Sequence, residues 1–283
     1  MEAALSTGVA LAVLGSALLH AGWNALVKGG PDPAADMALV GAGSSVIAVP
    51  FVLAVPLPEP ASWPYLAATV AIHFGYFVAL AAAYEHGDLS LGYPVMRGAA
   101  PVMVAGIAWP IFGEVPTPQL AAGVMLVSAG ILWIGFAAKG SGRPQGAALG
   151  WALANAVIIA AYTLVDAAGV RSAGGAMRYV AWSFLLMPLP FFAYVLARRR
   201  AAFLVHVRTY WRRGLGGGAC LFAAYGIALW AMTRAPVAAV AALRETSVVF
   251  ATFFGALVLK EGLGWKRLGG ALAVAAGVVA MKL

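Results

Sequence analysis

The chain has 283 residues, 63% of them hydrophobic and only 10% charged, against about 45–50% apolar and about 25% charged in a soluble globular protein. With a mean hydropathy of +0.90, a water-soluble α/β enzyme, a disordered chain and a coiled coil are excluded, and the solvent around the protein is lipid. The net charge of +8 does not make a nucleic-acid binder, because six of the eighteen basic residues crowd between Arg198 and Arg213, beside apolar segments, where topology signals lie.

Ten apolar runs follow in chain order: 4–27, 34–55, 62–84, 89–111, 118–137, 147–170, 176–197, 213–233, 238–259 and 264–282. One helical crossing takes roughly 20 residues, so the length fits ten crossings with short connections and no soluble domain. The N-terminus, Met1-Glu2-Ala3, lacks the positive region of a signal peptide, so the first run is expected to be a helix. Turn chemistry separates the runs: Gly29-Gly30-Pro31-Asp32-Pro33, Pro56-Leu57-Pro58-Glu59-Pro60, Gly113-Glu114-Val115-Pro116 and Lys139-Gly140-Ser141-Gly142-Arg143-Pro144. Barrel strands are excluded, since they would be about half as long and would alternate polar with apolar. The expected class is an all-α integral membrane protein of ten transmembrane helices.

The chain repeats itself. Arg97 precedes Glu114 by seventeen residues and Arg244 precedes Glu261 by the same seventeen, an offset of 147 that also carries Gly123 to Gly270 and Gly130 to Gly277. Tyr76-Phe77-Val78-Ala79-Leu80 is similar to Tyr225-Gly226-Ile227-Ala228-Leu229, and Trp23-Asn24 to Tyr162-Thr163. Five is odd, so two five-helix copies, residues 1–138 and 146–283, point opposite ways across the membrane. Chance similarity between helices rich in Ala, Gly and Leu is the bland alternative. Inverted repeats favour alternating access.

Ten apolar helices as five plus five, with Gly113-Glu114 and Lys260-Glu261 closing helices four and nine ahead of glycine-rich helices five and ten, resemble the EamA-like members of the drug/metabolite transporter superfamily. Within it the chain looks most like the YddG-type exporters of aromatic amino acids. The resemblance implies a multi-pass protein of the bacterial inner membrane. Its central cavity would be walled mainly by helices one, three, four, six, eight and nine. It also implies a secondary transporter that exports small metabolites, amino acids with aromatic or other neutral side chains, as a monomer or weak homodimer without a cofactor. One departure is the loop after helix two, which carries no Lys or Arg. Arg171, Arg178, Arg234 and Lys282 make four basic residues on the N-terminal side of the membrane, against twelve on the other side. The positive-inside rule therefore puts both termini outside the cytoplasm, whereas the resemblance implies both inside.

An ionisable group at mid-bilayer costs about 2.5–3.5 kcal/mol on insertion scales, so those inside spans single out a site. Arg97 in helix four, Arg244 and Glu245 in helix nine and Asp166 in helix six are such groups. The repeat would set Arg97 and Arg244 at mirrored depths, capping opposite ends of a cavity, unless each merely snorkels to the headgroups. Glu245, with a short stem, is the candidate coupling residue beside Asp166, unless it pairs with an arginine of another helix. His20, Trp23 and Asn24 share one face of helix one, and Asn155, Tyr162 and Asp166 share one face of helix six. Helix three offers His73, Tyr76, Phe77 and Tyr84, and helix eight Tyr225 and Trp230. Tyr93 and Trp182 complete the candidate substrate-binding set. Such polar-tipped aromatics suit a pocket that is apolar in body with a few donors and acceptors; the alternative is an interfacial belt, as for Trp63, Tyr65, Trp211 and Trp265.

Pro94, Pro101 and Pro110 in helix four, Pro50 in helix two and Pro188 and Pro190 in helix seven mark bends or hinges. Gly123, Gly130 and Gly135 with Gly269, Gly270 and Gly277 predict close contact between helices five and ten. Gly214-Leu215-Gly216-Gly217-Gly218 lacks the strand and the Gly-Lys-Ser/Thr ending of a phosphate loop. One cysteine and four histidines without ligand spacing predict no metal site. The competing function, a polytopic membrane enzyme acting on a lipid-linked substrate, needs clustered acids or a nucleophile–base pair at one membrane face. A channel needs a continuous polar lining. Neither pattern stands out.

Overall fold

The computed structural model describes residues 5–86, 89–136, 146–258 and 265–282. Among these the secondary structure is helical, in the order α1 (Thr7–Lys28), α2 (Pro33–Ala54), a 3₁₀ turn (Pro60–Ser62), α3 (Trp63–His86), α4 (Leu89–Phe112), α5 (Pro118–Phe136), α6 (Gly146–Ser172), α7 (Ala176–Leu186), α8 (Leu189–Met232), α9 (Val237–Glu245), α10 (Ser247–Val258) and α11 (Trp265–Ala280). Start signals are local. Ser6 Oγ accepts from the Val9 N–H at 3.3 Å and Asp32 Oδ1 from the Ala35 N–H at 3.1 Å, capping α1 and α2. Pro33 and Pro118, at first positions, lose no hydrogen bond there. The outer surface carries apolar side chains such as Leu53 (82% exposed), Phe136 (68%) and Leu272 (63%), which only lipid accommodates.

Seven helices of the described residues are long and apolar enough to cross a membrane; residues 259–264, between the last two expected spans, lie outside the described residues. Residues 176–232 form one long apolar stretch, in which Pro188 separates α7 from α8 and the backbone of α8 leaves helical geometry at Arg200 (φ +44°) and Tyr210. The expected span 238–259 is carried by α9 and α10, which meet at Thr246, a residue with right-handed helical dihedrals (φ −57°, ψ −16°) in a tightened turn. Its hydroxyl donates to the Leu243 carbonyl at 2.7 Å, an alternative to the helical ladder. Helix α11 is described over 16 residues from Trp265, where the described residues resume. Helix α4 keeps Pro94, Pro101 and Pro110 inside a continuous helix.

Packing is tightest where glycines remove side chains. Helix α5 runs along α11. A Cβ on Gly123 would stand 2.7 Å from the Gly277 carbonyl oxygen, and one on Gly130 would stand 2.7 Å from that of Gly270. On α2, a Cβ at Gly43 would overlap the Gly214 carbonyl of α8, and one at Gly218 would overlap the Gly43 backbone. Helix α8 packs on α1 and α2, α6 on α3 and α4, and α9 on α4 and α1. That arrangement leaves the side chains of α1, α3, α6, α8 and α9 to converge inside.

Polar ties close the two ends. At one, Arg199 pairs with Asp32, His206 Nε2 lies 3.1 Å from the buried Asp36 Oδ1, and Arg213 donates to the Leu26 carbonyl. At the other, Glu114 accepts from Arg171 at 2.6 Å and, through Oε2, from the first amide of α9, Val237 N–H, at 2.8 Å. Arg171 Nε also donates to the Met232 carbonyl at 2.8 Å. A carboxylate on a helix N-terminus is favoured by the dipole and by otherwise unpaired N–H groups.

Candidate functional site

Helix periodicity puts His20 and Trp23 one turn apart on α1, and His73, Tyr76 and Phe77 on one face of α3. With Tyr162 of α6, Tyr225 of α8 and Arg244 of α9 they line a cavity of about 40 Å³. That is room for two or three waters in this conformation. The rings form a continuous aromatic wall: His73 and Tyr162 lie 4.4 Å apart, Tyr76 and Tyr162 5.8 Å, and Tyr162 and Tyr225 6.0 Å. Edge-to-face geometry between the tyrosines, 82° in both pairs, is a favourable ring arrangement.

Asp166 fixes part of that wall from behind. It is buried and accepts hydrogen bonds from the Tyr179 hydroxyl at 2.8 Å and from the Tyr225 hydroxyl. The Tyr225 ring, so oriented, carries the Arg244 guanidinium 4.7 Å from its centroid, a cation–π contact inside the protein. His73 Nδ1 lies 2.9 Å from the Thr69 hydroxyl, which holds its ring against Tyr162.

A second buried group adjoins it. Arg97 (2% exposed) donates to Glu245 Oε1 (3% exposed) at 3.1 Å. It also donates to His20 Nε2 and, at 3.4 Å, to the Tyr93 hydroxyl. Trp23 Nε1 donates to His20 Nδ1 at 3.3 Å. A neutral imidazole has one acceptor nitrogen, so Arg97 and Trp23 compete for it. Glu245 Oε2 is buried without a hydrogen-bond partner. The pair sits where α9 ends, and the C-terminal carbonyls of a helix favour cations such as Arg97 and Arg244.

The structure therefore brings together eight of the expected substrate-binding residues in the lining, with Arg97, Glu245 and Tyr93 joined to them through His20. Four others lie elsewhere. Asn24 donates to the His20 carbonyl on its own helix at 2.9 Å, and Asn155 faces Met96 on α4. Trp182 packs on Trp63 at 5.4 Å and Trp230 beneath Arg234 at 5.1 Å. Arg97 and Arg244 do not cap opposite ends: Arg97 is bonded to the residue next to Arg244. Among the described residues no side chain of α4 lines the cavity, Arg97 adjoining it through His20, whereas α2 lines it with Met37 and Val40, joined by Met187 and Leu221. These apolar members carry no sequence signal, because a methionine facing a cavity and one facing lipid look alike. The Tyr84 side chain, Glu261, Lys139, Arg143 and Lys260 lie outside the described residues. Among the described residues no three His, Cys, Asp or Glu converge as metal ligands would.

Residues 146–283 match the model of the EamA-like transporter family, so the second half of the chain carries an EamA-like transporter domain. No curated protein matches the chain. A solved crystal structure superimposes with a TM-score of 0.77 over 98% of this chain and 98% of its own, at 19% identity, a likeness of fold alone. With seven apolar helices of crossing length among the described residues, this is a multi-pass membrane protein.

Proposed function

We propose, with the EamA-like transporter domain as premise, that this chain is a secondary transporter that exports small metabolites by alternating access. Its substrates in this reading are amino acids with aromatic or other neutral side chains, as for exporters of the YddG type. The observation that carries the proposal is a cavity walled by His73, Tyr76, Tyr162, Tyr225 and a buried Arg244, held inside a bundle whose outside is apolar. Polar-tipped aromatics and a guanidinium are expensive in such a place unless a wet or polar guest meets them.

Ten crossings remain the proposed topology. The seventh would be α7 with the part of α8 before Arg200, the eighth the part after Tyr210, the ninth α9 with α10, and the tenth α11. The glycine seam supports two inverted repeats, 1–138 and 146–283: adding 147 maps Gly123 onto Gly270 and Gly130 onto Gly277, so the contact 123–277 becomes the contact 270–130. The arginine-rich end, where Arg199 and Arg213 meet the α1–α2 turn, would face the cytoplasm of a bacterial inner membrane. The assembly is proposed to be a monomer or weak homodimer that uses no cofactor.

Proton exchange falls in this reading to Glu245, whose Oε2 has no partner. The groups facing it are Arg97 from α4, with His20 of α1 beyond, and Arg244 beside it on α9. Asp166, both oxygens of which accept phenolic protons, acts through Tyr225. Counterflow of labelled phenylalanine and leucine into preloaded proteoliposomes tests the proposal. Saturable exchange above empty liposomes is expected, and its absence for every amino acid tried refutes it. Glu245→Gln should flatten the pH dependence of that flux; an unchanged profile removes the coupling role.

A further inference from the structure

We infer that the cavity anchors its substrate by a single anionic group, a carboxylate, on the Arg244 guanidinium, with an aromatic or apolar body lying against the rings of Trp23, Tyr162 and Tyr225. The inference rests on the transporter reading and narrows it, because the anchor is the acid and an amino group adds nothing.

The two buried arginines are used differently. Arg97 turns its terminal N–H groups to Glu245, His20 and Tyr93, and only its Nε is buried without a partner. Arg244 is 6% exposed and lines the cavity, and among the described residues it has neither a hydrogen bond nor an ion pair, only the Tyr225 ring beneath it. The guanidinium carbon lies over the Tyr225 ring, a contact that uses none of its N–H hydrogen bonds, and a guanidinium fork is suited to grip a carboxylate through two parallel hydrogen bonds. The Trp23 indole N–H faces His20 Nδ1 while Arg97 faces Nε2, only one of which accepts in a neutral imidazole, and Trp23 is in the same lining.

Neither acid nearby opens onto the cavity, although Glu245 Oε2 is buried without a hydrogen-bond partner. Glu245 Oε1 serves Arg97, Asp166 serves two phenols, and neither carboxylate lines the cavity. An ammonium group entering would meet Arg244 in a low-dielectric site and find no acid to balance it, which makes a cation unfavourable. A neutral polar group would engage one or two N–H groups without neutralising the charge. A carboxylate does both.

Purified full-length protein in detergent, followed by tryptophan fluorescence, provides the test. The probes are 3-phenylpropionate, phenylalanine, 3-phenylpropionamide and phenethylamine, which share one ring and differ in charge. 3-Phenylpropionate should bind at least as tightly as phenylalanine, the amide about tenfold more weakly, and the amine weaker still. Arg244→Lys should weaken 3-phenylpropionate about tenfold, because an ammonium lacks the planar fork, and Arg244→Met should abolish its binding. The inference is overturned if amide or amine binds the unaltered protein as tightly as the acid, if neither carboxylate binds, or if Arg244→Met keeps the original affinity. The comparison among the four probes needs no variant, so it stands even where a substitution disturbs folding. Counterflow of the same probes separates the two readings. Exchange of the amine or amide without the acids sinks the anionic anchor and leaves a transporter, whereas loss of all exchange sinks the transporter itself.

Discussion

Replacing Glu245 by Ala removes one partner of an ion pair whose members are 2% and 3% exposed and 3.1 Å apart. The attraction between unit charges at about 4 Å in an effective dielectric of about 20 is about 4 kcal/mol. Removing one partner of a buried pair typically costs about 3–5 kcal/mol, because the remaining charge keeps its desolvation penalty uncompensated. Arg97 would keep its hydrogen bonds to His20 and Tyr93, which offset part of the loss without neutralising it, so the lower half of that range is expected for Glu245→Ala. The double variant Arg97→Met with Glu245→Leu removes both charges and refills the volume, and it should be nearer the parent than either Glu245→Ala or Glu245→Leu alone. Unfolding in mixed micelles, followed through the nine tryptophans, measures both. A Glu245→Ala protein within about 1 kcal/mol of the parent, or a double variant less stable than the single, would refute the reasoning that the pair is buried and closed.

Other outcomes follow from the same geometry. Gly277→Val should cost at least about 1–3 kcal/mol through overpacking, since a Cβ there meets the Gly123 carbonyl at 2.7 Å, while Gly15→Ala, with nothing within 4 Å, should be neutral in the same unfolding assay. Tyr179→Phe removes one of the two donors to the buried Asp166 and should destabilise by about 1.5–3 kcal/mol, the range for hydrogen bonds to charged groups; Tyr65→Phe, at the exposed start of α3, serves as the silent control. A reporter fused after Leu283 should be active as an alkaline phosphatase and dark as a cytoplasmic fluorescent protein, and the opposite pattern would reverse the proposed orientation.

Much of this was legible in the residues. Apolar runs bounded by Gly, Pro and capping Ser or Asp locate α1 to α6 within a few residues, because lipid forbids unpaired backbone groups and so makes helix ends abrupt. The tightened turn at Thr246 was not legible: no proline marks it, and a threonine hydroxyl turning back onto its own chain looks no different in sequence from one facing a neighbour. Polar-tipped aromatics at helical spacing pointed to His20, Trp23, His73, Tyr76, Tyr162 and Tyr225 because lipid alone gives them no reason to be inside. Trp182 and Trp230 share that signature and lie elsewhere, since spacing fixes a face but not which neighbour covers it. Glu245 meeting an arginine of another helix was one of two readings; which arginine depends on the three-dimensional crossing of α4 and α9, far apart in the chain.

The seam of α5 and α11 has a mechanical consequence. Helices that touch at one spot can scissor about it, but two points of backbone contact, at Gly123 with Gly277 and at Gly130 with Gly270, fix their crossing angle as two hinges fix a door leaf to its frame. Enlarging a hollow that now admits only a few waters therefore has to be done by the helices on the far side of the molecule, pivoting against a strut that stays still.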